Sequence, residues 1–215
     1  VSKVVGLSSD KACSPIGGYG ASKALMECLF LAANNTVPAD GPRYAITRYG
    51  NVWNSAGSVV PTWRRMVEAG SEAVPVTSPE ATRFWMSLGQ AVRWIKRRIE
   101  LMEPASVYVP VLPSVRLADI AAAVVPEARV VWIGMSGREK VHESMIAWDE
   151  SRYATRQSDA STLDFYRIGP NPTGELEFEY RSDTNDLWLS VEDIRRALPQ
   201  VLKDDEPKLA CPYCG

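Results

Sequence analysis

The chain has 215 residues and a mass of 23.7 kDa, with 46% hydrophobic and 23% charged residues. That apolar share excludes wholesale disorder and suits one good-sized domain, or a domain with a small appendage. With 24 Lys and Arg against 26 Asp and Glu and a net charge of -2, nothing global draws the chain to nucleic acid or an anionic membrane.

The apolar run Val4-Val5-Gly6-Leu7, stopped by Ser8-Ser9-Asp10, predicts a short buried strand over Val4 to Ser8. The chain begins at Val1 with that run, as though entered in mid-sheet, and the expectation is part of an enzyme. Pro15, Gly17 and Gly18 predict a loop, and Tyr19 to Asn34 has helix composition, with Leu25, Leu29 and Ala32 at helical spacing. Pro38 to Pro42 breaks the chain before a second strand, Tyr44 to Thr47. Strand, helix and strand in this order make a βαβ unit and imply a parallel sheet.

Further along, Pro61 to Ala69 reads as a short amphipathic helix closed by Gly70. Leu88 to Met102 reads as a longer one with the basic run Lys96-Arg97-Arg98. Ser106 to Val109 and Val130 to Ile133 are expected strands around an Ala-rich helix, Leu117 to Val125, with Ser114 as its cap. Candidate strands Thr162 to Ile168 and Leu176 to Tyr180 follow. Ser190-Val191-Glu192-Asp193 opens a last helix, with Asp193 where a capping box places Glu or Gln.

No stretch approaches the roughly 20 uninterrupted apolar residues of a membrane span, and no basic region precedes an apolar core as in a secretory signal. Four cysteines are too sparse for a disulfide framework, so Cys13 and Cys28 are expected reduced, in a cytoplasmic setting. Cys211 and Cys214 form a CxxC with no second pair to complete a zinc site, and an unstructured tail is the expectation there.

The informative constellation lies early. Tyr19 and Lys23 stand one helical turn apart on one face. An ammonium beside a phenol favours the phenolate and lowers its pKa from about 10, which makes tyrosine usable as an acid or base. Ser9 ends the preceding strand, where its hydroxyl can reach the tyrosine oxygen or a substrate. A lone Tyr-x-x-x-Lys is most often a solvated helix face. At the carboxyl edge of a βαβ unit, behind a strand ending in Ser, it carries more weight.

These residues also carry a family resemblance. Ser8-Ser9-Asp10-Lys11-Ala12, Pro15 and Tyr19-Gly20-Ala21-Ser22-Lys23 resemble the active-site segment of extended short-chain dehydrogenases/reductases. The branch they resemble is the nucleotide-sugar 4,6-dehydratases of capsular polysaccharide biosynthesis, including the inverting UDP-N-acetylglucosamine enzymes. Arg48-Tyr49-Gly50-Asn51-Val52, Gly57-Ser58-Val59-Val60-Pro61, Thr82-Arg83-Phe84-Trp85 and Glu139-Lys140-Val141-His142-Glu143 are similar in the same order. So are Ser182-Asp183-Thr184-Asn185 and Trp188-Leu189-Ser190.

The resemblance implies an α/β fold: the C-terminal half of a Rossmann-like parallel sheet plus a smaller α+β substrate-binding lobe. The expected division is 1–60 for the sheet, 61–200 for the lobe and 201–215 for a tail. The implied reaction is a lyase reaction: oxidation at C4 of the sugar, loss of water across C5 and C6, and hydride return. Tyr19, Lys23 and Ser9 are implied for the oxidation, Lys11 as base at C5, and Asp10 as acid for the C6 hydroxyl. Tyr19 and Lys23 also touch the cofactor, NADP or NAD with NADP favoured. Asn51, Ser58, Val59, Arg83 and Arg138 are implied to hold the nucleotide-sugar, a guanidinium suiting a diphosphate. For Glu139, His142 and Glu143 a structural role leads. No metal is expected.

Two departures stand out. The family has Arg-Pro-Gly where this chain has Ser136-Gly137-Arg138, so the arginine contact is lost or shifted to Arg138. No G-x-G-x-x-G loop opens a βα turn, so the main cofactor-binding loop is not in this chain. The expected partners are a UDP-sugar and either a second copy or a complementing N-terminal chain, with neither nucleic acid nor membrane. The alternatives are a catalytically silent sugar-nucleotide-binding or assembly module, and a nucleotide-sugar 4-epimerase.

Overall fold

The computed structural model describes residues 1–55, 57–173 and 177–204, with side chains to residue 199. The chain opens with β1 (Lys3–Ser9), a 3-10 turn at Asp10–Ala12, helix α1 (Gly18–Ala33) and β2 (Arg43–Tyr49). β1 and β2 run parallel, Lys3 opposite Arg43 through to Ser9 opposite Tyr49. The βαβ unit expected from the sequence is therefore present, and its strands end side by side at Ser9 and Tyr49.

Next come β3 (Asn51–Val52), α2 (Val59–Glu68), β4 (Ala73–Val76), β5 (Thr82–Met86) and α3 (Leu88–Leu101). They are followed by β6 (Val107–Pro110), β7 (Ser114–Arg116), α4 (Leu117–Val124), β8 (Arg129–Trp132), β9 (Ser144–Ile146) and α5 (Trp148–Ser151). The last elements are β10 (Ala154–Gln157), β11 (Phe165–Ile168), β12 (Tyr180–Arg181) and α6 (Val191–Asp204).

The largest sheet has five strands in the order β1-β2-β6-β11-β10. β1, β2 and β6 are parallel, and β11 is antiparallel to both its neighbours. Because β6 brings Val107 opposite Ile46, the sheet that starts the chain continues well past residue 60. Smaller groupings are β3-β5-β7, β4-β8 and β12-β9.

Two apolar clusters hold these layers. Ile46, Phe84, Met86, Trp94, Val107, Met145, Phe165 and Tyr180 pack around the main sheet. Trp53, Trp63, Val74, Trp85, Ile120 and Ile194 form a second centre among α2, α4, α6 and their short strands. Each large apolar side chain taken fully from water contributes about 1.5–3 kcal/mol before entropy is charged against it.

Several local expectations change. Leu25 and Leu29 of α1 stay exposed, while Met26 and Phe30 pack against the main core. Ser114 does not cap α4: it sits inside β7, and the residue before α4 is Arg116, whose side chain makes no cap bond. The serine that does cap is Ser87, which accepts from the Gln90 amide at 3.1 Å while Gln90 reaches back to the Ser87 amide at 2.8 Å. Ser190 and Asp193 form the expected reciprocal cap of α6, at 3.1 and 3.2 Å. In the basic run Arg98 turns inward, stacking over Trp94 and Phe165 and pairing with Asp159. The expected strand from Leu176 is replaced by the shorter β12, and Leu176 itself, with Cys211 and Cys214, lies outside the described residues.

Candidate active site

A cleft of about 840 Å³ opens where β1 and β2 end. Its walls include Ser9, Lys11, Tyr19, Lys23, Asn51, Ser58, Val59, Arg83 and Arg138. Nine of the ten expected site residues thus meet on one concavity. Asp10 is the tenth, and it does not line the cleft: its side chain is wholly buried. The sheet explains the convergence, since parallel strands deliver the residues after their carboxyl ends to one edge.

Each side chain is held by identifiable contacts. Ser9 ends β1 in extended backbone, accepts the Lys11 amide at 3.3 Å and donates its hydroxyl to Asp10 Oδ1 at 2.7 Å. Lys11 Nζ donates to Asp10 Oδ1 at 3.0 Å and to Asn51 Oδ1 at 3.2 Å. Tyr19 occupies the first turn of α1 with its ring largely exposed to the cleft. Lys23 Nζ lies 5.9 Å from the Tyr19 ring centroid and donates to the Leu7 carbonyl at 2.9 Å. The helix is thereby tied back to the strand it follows.

Gly50 permits the other wall to approach. A Cβ there would stand 2.5 Å from Phe84 Cβ and 2.8 Å from its carbonyl oxygen, so β2 can end against β5 only with glycine at that point. β5 carries Arg83, whose guanidinium donates to the Thr82 and Val141 carbonyls at 2.7 and 3.0 Å and to Glu139 Oε1 at 3.0 Å. Arg83 is on the wall as expected, but much of its donor capacity is already taken. Arg138 is exposed at the rim and has no ion pair among the described residues.

Behind α1 lies a contact that the sequence did not announce. Arg48 makes two-pronged bonds to Glu27 on one side and to Glu150 on the other, and donates to the Met145 carbonyl at 2.9 Å. Burial opposes the charge on Arg48, but the two carboxylates outweigh it and hold its pKa well above the ordinary value. This grip fixes α1, and with it Tyr19 and Lys23, against β2 and α5.

The comparisons with known proteins fit this geometry. Residues 1–164 match the family described as polysaccharide biosynthesis protein. The chain belongs to the polysaccharide biosynthesis protein family. A relative from Campylobacter jejuni subsp. jejuni serotype O:2, UDP-N-acetylglucosamine 4,6-dehydratase (inverting), is 36% identical over 213 residues, covering 90% of this chain and 62% of that protein. A UDP-glucose 4-epimerase from Rickettsia canadensis is 34% identical over 172 residues, covering 78% of this chain and 49% of the relative. Among solved structures, Pen from Bacillus thuringiensis superposes with a TM-score of 0.81 at 27% identity, covering 93% of this chain and 62% of that one. The chain therefore spans less than two thirds of these proteins' length.

In this member of the polysaccharide biosynthesis protein family, the cleft is more cationic than the chain as a whole. Lys11, Lys23, Arg83, Arg138 and Lys140 line it, against the carboxylates of Glu139 and Glu143. Burial works against the Lys11 charge, yet Asp10 and Glu143 overcome it and raise its pKa above the lysine norm. Glu143 is buried, and burial together with Asp10 pushes its carboxyl upward against the pull of Lys11, Arg83 and Lys140. Glu139, Lys140 and Glu143 thus belong to the cleft wall. The sequence signal was their place in a matched motif, but their facing Lys11 depends on long-range folding.

His142 lies elsewhere, its Nδ1 against Thr82 Oγ1 at 2.9 Å, and Thr82 Oγ1 in turn meets Ser182 Oγ at 2.7 Å. That bracket locks the Ser182-Asp183-Thr184-Asn185 segment to β5. Among the described residues, no group of three or more His, Cys, Asp or Glu is placed to hold a metal ion, and no helix is long and apolar enough to cross a membrane.

Proposed function

We propose that this chain carries the catalytic edge and substrate lobe of a nucleotide-sugar 4,6-dehydratase acting on a UDP-N-acetylglucosamine-type substrate in surface polysaccharide synthesis. The observation that supports it most is the meeting of Ser9, Lys11, Tyr19, Lys23, Asn51 and Arg138 on one cationic cleft. An exposed phenol beside an ammonium, on the wall of a cleft large enough for a sugar nucleotide, fits the reacting end of a nicotinamide dinucleotide. Such a cofactor supplies the hydride acceptor and donor, NADP being favoured over NAD by the resemblance.

This chain's own residues then have distinct tasks. Tyr19 acts as a phenolate stabilised by Lys23, takes the C4 hydroxyl proton and becomes the neutral phenol. Ser9 offers its hydroxyl to the same oxygen on rotating away from Asp10 Oδ1, its acceptor in this structure. The C4 ketone acidifies the C5 proton, and Lys11 stands as the base for it. Asp10, whose Oδ1 meets both Lys11 Nζ and Ser9 Oγ, is the acid that the resemblance implies for the departing C6 hydroxyl. The N-terminus of α2, entered through Ser58 and Val59, and the exposed Arg138 provide the charge that a diphosphate requires. A cytoplasmic setting accords with a soluble sugar nucleotide as substrate.

The test is incubation of the purified protein, in the longest form its source encodes, with UDP-N-acetylglucosamine and NADP or NAD. Loss of one water by mass spectrometry and a 4-keto-6-deoxy product by NMR are expected, with Tyr19→Phe lowering turnover by about 100-fold or more. A C4 epimer without water loss would favour the epimerase reading. Nucleotide-sugar binding without any turnover would favour a silent binding module.

A further inference from the structure

The 3-10 turn Asp10–Ala12 carries both groups assigned to the elimination, and it is held from two sides. Its own closure is the Cys13 amide donating to the Asp10 carbonyl at 3.2 Å. On the α1 side, Gly20 lies against the Lys11 carbonyl and leaves no room for a Cβ between them. From the facing wall, Lys140 Nζ donates to the Cys13 carbonyl. Lys140 lines the cleft, yet its side chain is only 15% exposed. Its ion-pair neighbour among the described residues is Glu143, whose Oε2 stands 3.9 Å from Nζ.

We infer that Lys140 is a positioning residue for the elimination: its bond to the Cys13 carbonyl sets where the turn presents Asp10 and Lys11 to the substrate. The inference rests on the dehydratase reading, in which Lys11 takes the C5 proton and Asp10 protonates the departing C6 hydroxyl.

The turn needs an outside tie, because a 3-10 turn has poorer hydrogen-bond geometry than an α-helix and this one is three residues long. Its placement is also exacting. Asp10 is 0% exposed while Lys11 opens on the cleft, so acid and base meet one sugar only from a narrow range of turn positions. A misplacement of about 1 Å can cost about 100-fold in rate.

Lys140 ties this turn and not the oxidation residues. Lys23 is fixed by the Leu7 carbonyl at 2.9 Å, and α1 by the bonds between Arg48 and Glu27. Loss of Lys140 therefore leaves the C4 step supported and loosens the C5–C6 step. The other task open to a cleft lysine is to bind the diphosphate. Arg138 suits that task, being exposed at the rim, whereas Lys140 is largely covered and already bonded to backbone. A bond from an ammonium to a carbonyl is charge-assisted, which suits a tie.

The experiment uses the longest form of the protein that its source encodes, with UDP-N-acetylglucosamine and NADP or NAD. It compares Lys140→Met and Lys140→Arg with the parent. Methionine keeps much of the length but loses the donor. Lys140→Met is expected to lower kcat for water loss about 10- to 100-fold, with KM for the sugar nucleotide within about 3-fold. C4 oxidation should persist, visible as reduced nicotinamide that builds up during turnover in the variant and not in the parent. Lys140→Arg, which keeps a cationic donor, should recover much of the loss. Turnover of Lys140→Met within about 3-fold of the parent overturns the assignment. A raised KM with kcat kept also overturns it, because it marks a diphosphate contact. Equal loss of oxidation and dehydration does the same, because it marks a general structural role. A parent protein that gives no 4-keto-6-deoxy sugar overturns the dehydratase reading instead.

Discussion

Gly20 lies against the backbone of Lys11 so closely that a Cβ on residue 20 would stand 2.3 Å from the Lys11 carbonyl oxygen. No side-chain rotation relieves a clash with backbone. The contact seats the first turn of α1 on the 3-10 turn, and so fixes where Tyr19 stands relative to Lys11. Gly20→Ala should therefore destabilise the protein by about 1–3 kcal/mol, although alanine is the better helix former. Urea unfolding measures this, and an unchanged or raised midpoint would count against the contact.

Arg48 bridges Glu27 and Glu150, and its removal leaves two carboxylates facing a buried gap. Arg48→Met should cost about 3–5 kcal/mol at neutral pH, as expected when one member of a buried ion pair is lost. The Tm of the variant against its parent reads this directly.

The same triad gives a pH dependence. Burial pushes the Glu150 carboxyl up, but its bonds to Arg48 and the Ala147 amide outweigh that and hold it below the usual range. A depressed folded-state pKa stabilises the fold above the unfolded value of about 4.3 and loses that contribution as pH falls through the folded one. Melting curves between neutral and acid pH should show the Arg48→Met variant losing less stability on acidification than its parent. A parallel loss in both would remove Glu150 as the cause.

Two cysteines offer a probe that needs no activity. Burial pushes the Cys13 thiol up to about 12, partly offset by Arg48, so almost no thiolate is present near neutrality. Cys28 is exposed on the outer side of α1. Peptide-resolved mass spectrometry after brief iodoacetamide treatment should find Cys28 modified and Cys13 untouched until denaturant is added.

Arg138 is the cleft's rim cation without a carboxylate partner among the described residues. Arg138→Ala should raise KM for the sugar nucleotide about 5- to 20-fold with kcat little changed, the value of a charge-assisted contact that is only partly desolvated. Steady-state kinetics separates this from a structural effect, which would lower kcat as well.

The sequence made the β1-α1-β2 unit legible because its cues are local: an apolar run, a Pro/Gly loop and a helix-rich stretch. Tyr19 and Lys23 followed from helical spacing, and the Ser190 and Asp193 cap from a four-residue pattern. β5 was missed because Thr82–Met86 is buried on both faces and shows no alternation. The two- and three-residue strands β3, β7 and β9 were missed because their pairing is set by partners distant in sequence. Glu27 went unnoticed for a related reason. A glutamate on a helix is normally solvated, and only the folded position of Arg48 makes its burial sensible. The orientation of Glu143 toward Lys11 arises only when the two walls face each other.

Those walls meet largely through charge. Lys140 donates to the Cys13 carbonyl, and Lys11 faces Glu143, so the loop carrying residues 138–143 is clasped to the 3-10 turn by ammonium groups. Apolar packing weakens gradually as surfaces slide apart, whereas a clasp of this kind has a defined bonded distance and a solvated, open alternative. The cations that hold this wall in place are thus the same ones that line the cleft, so a change at Lys11 or Lys140 alters the wall and the charge of the cleft together.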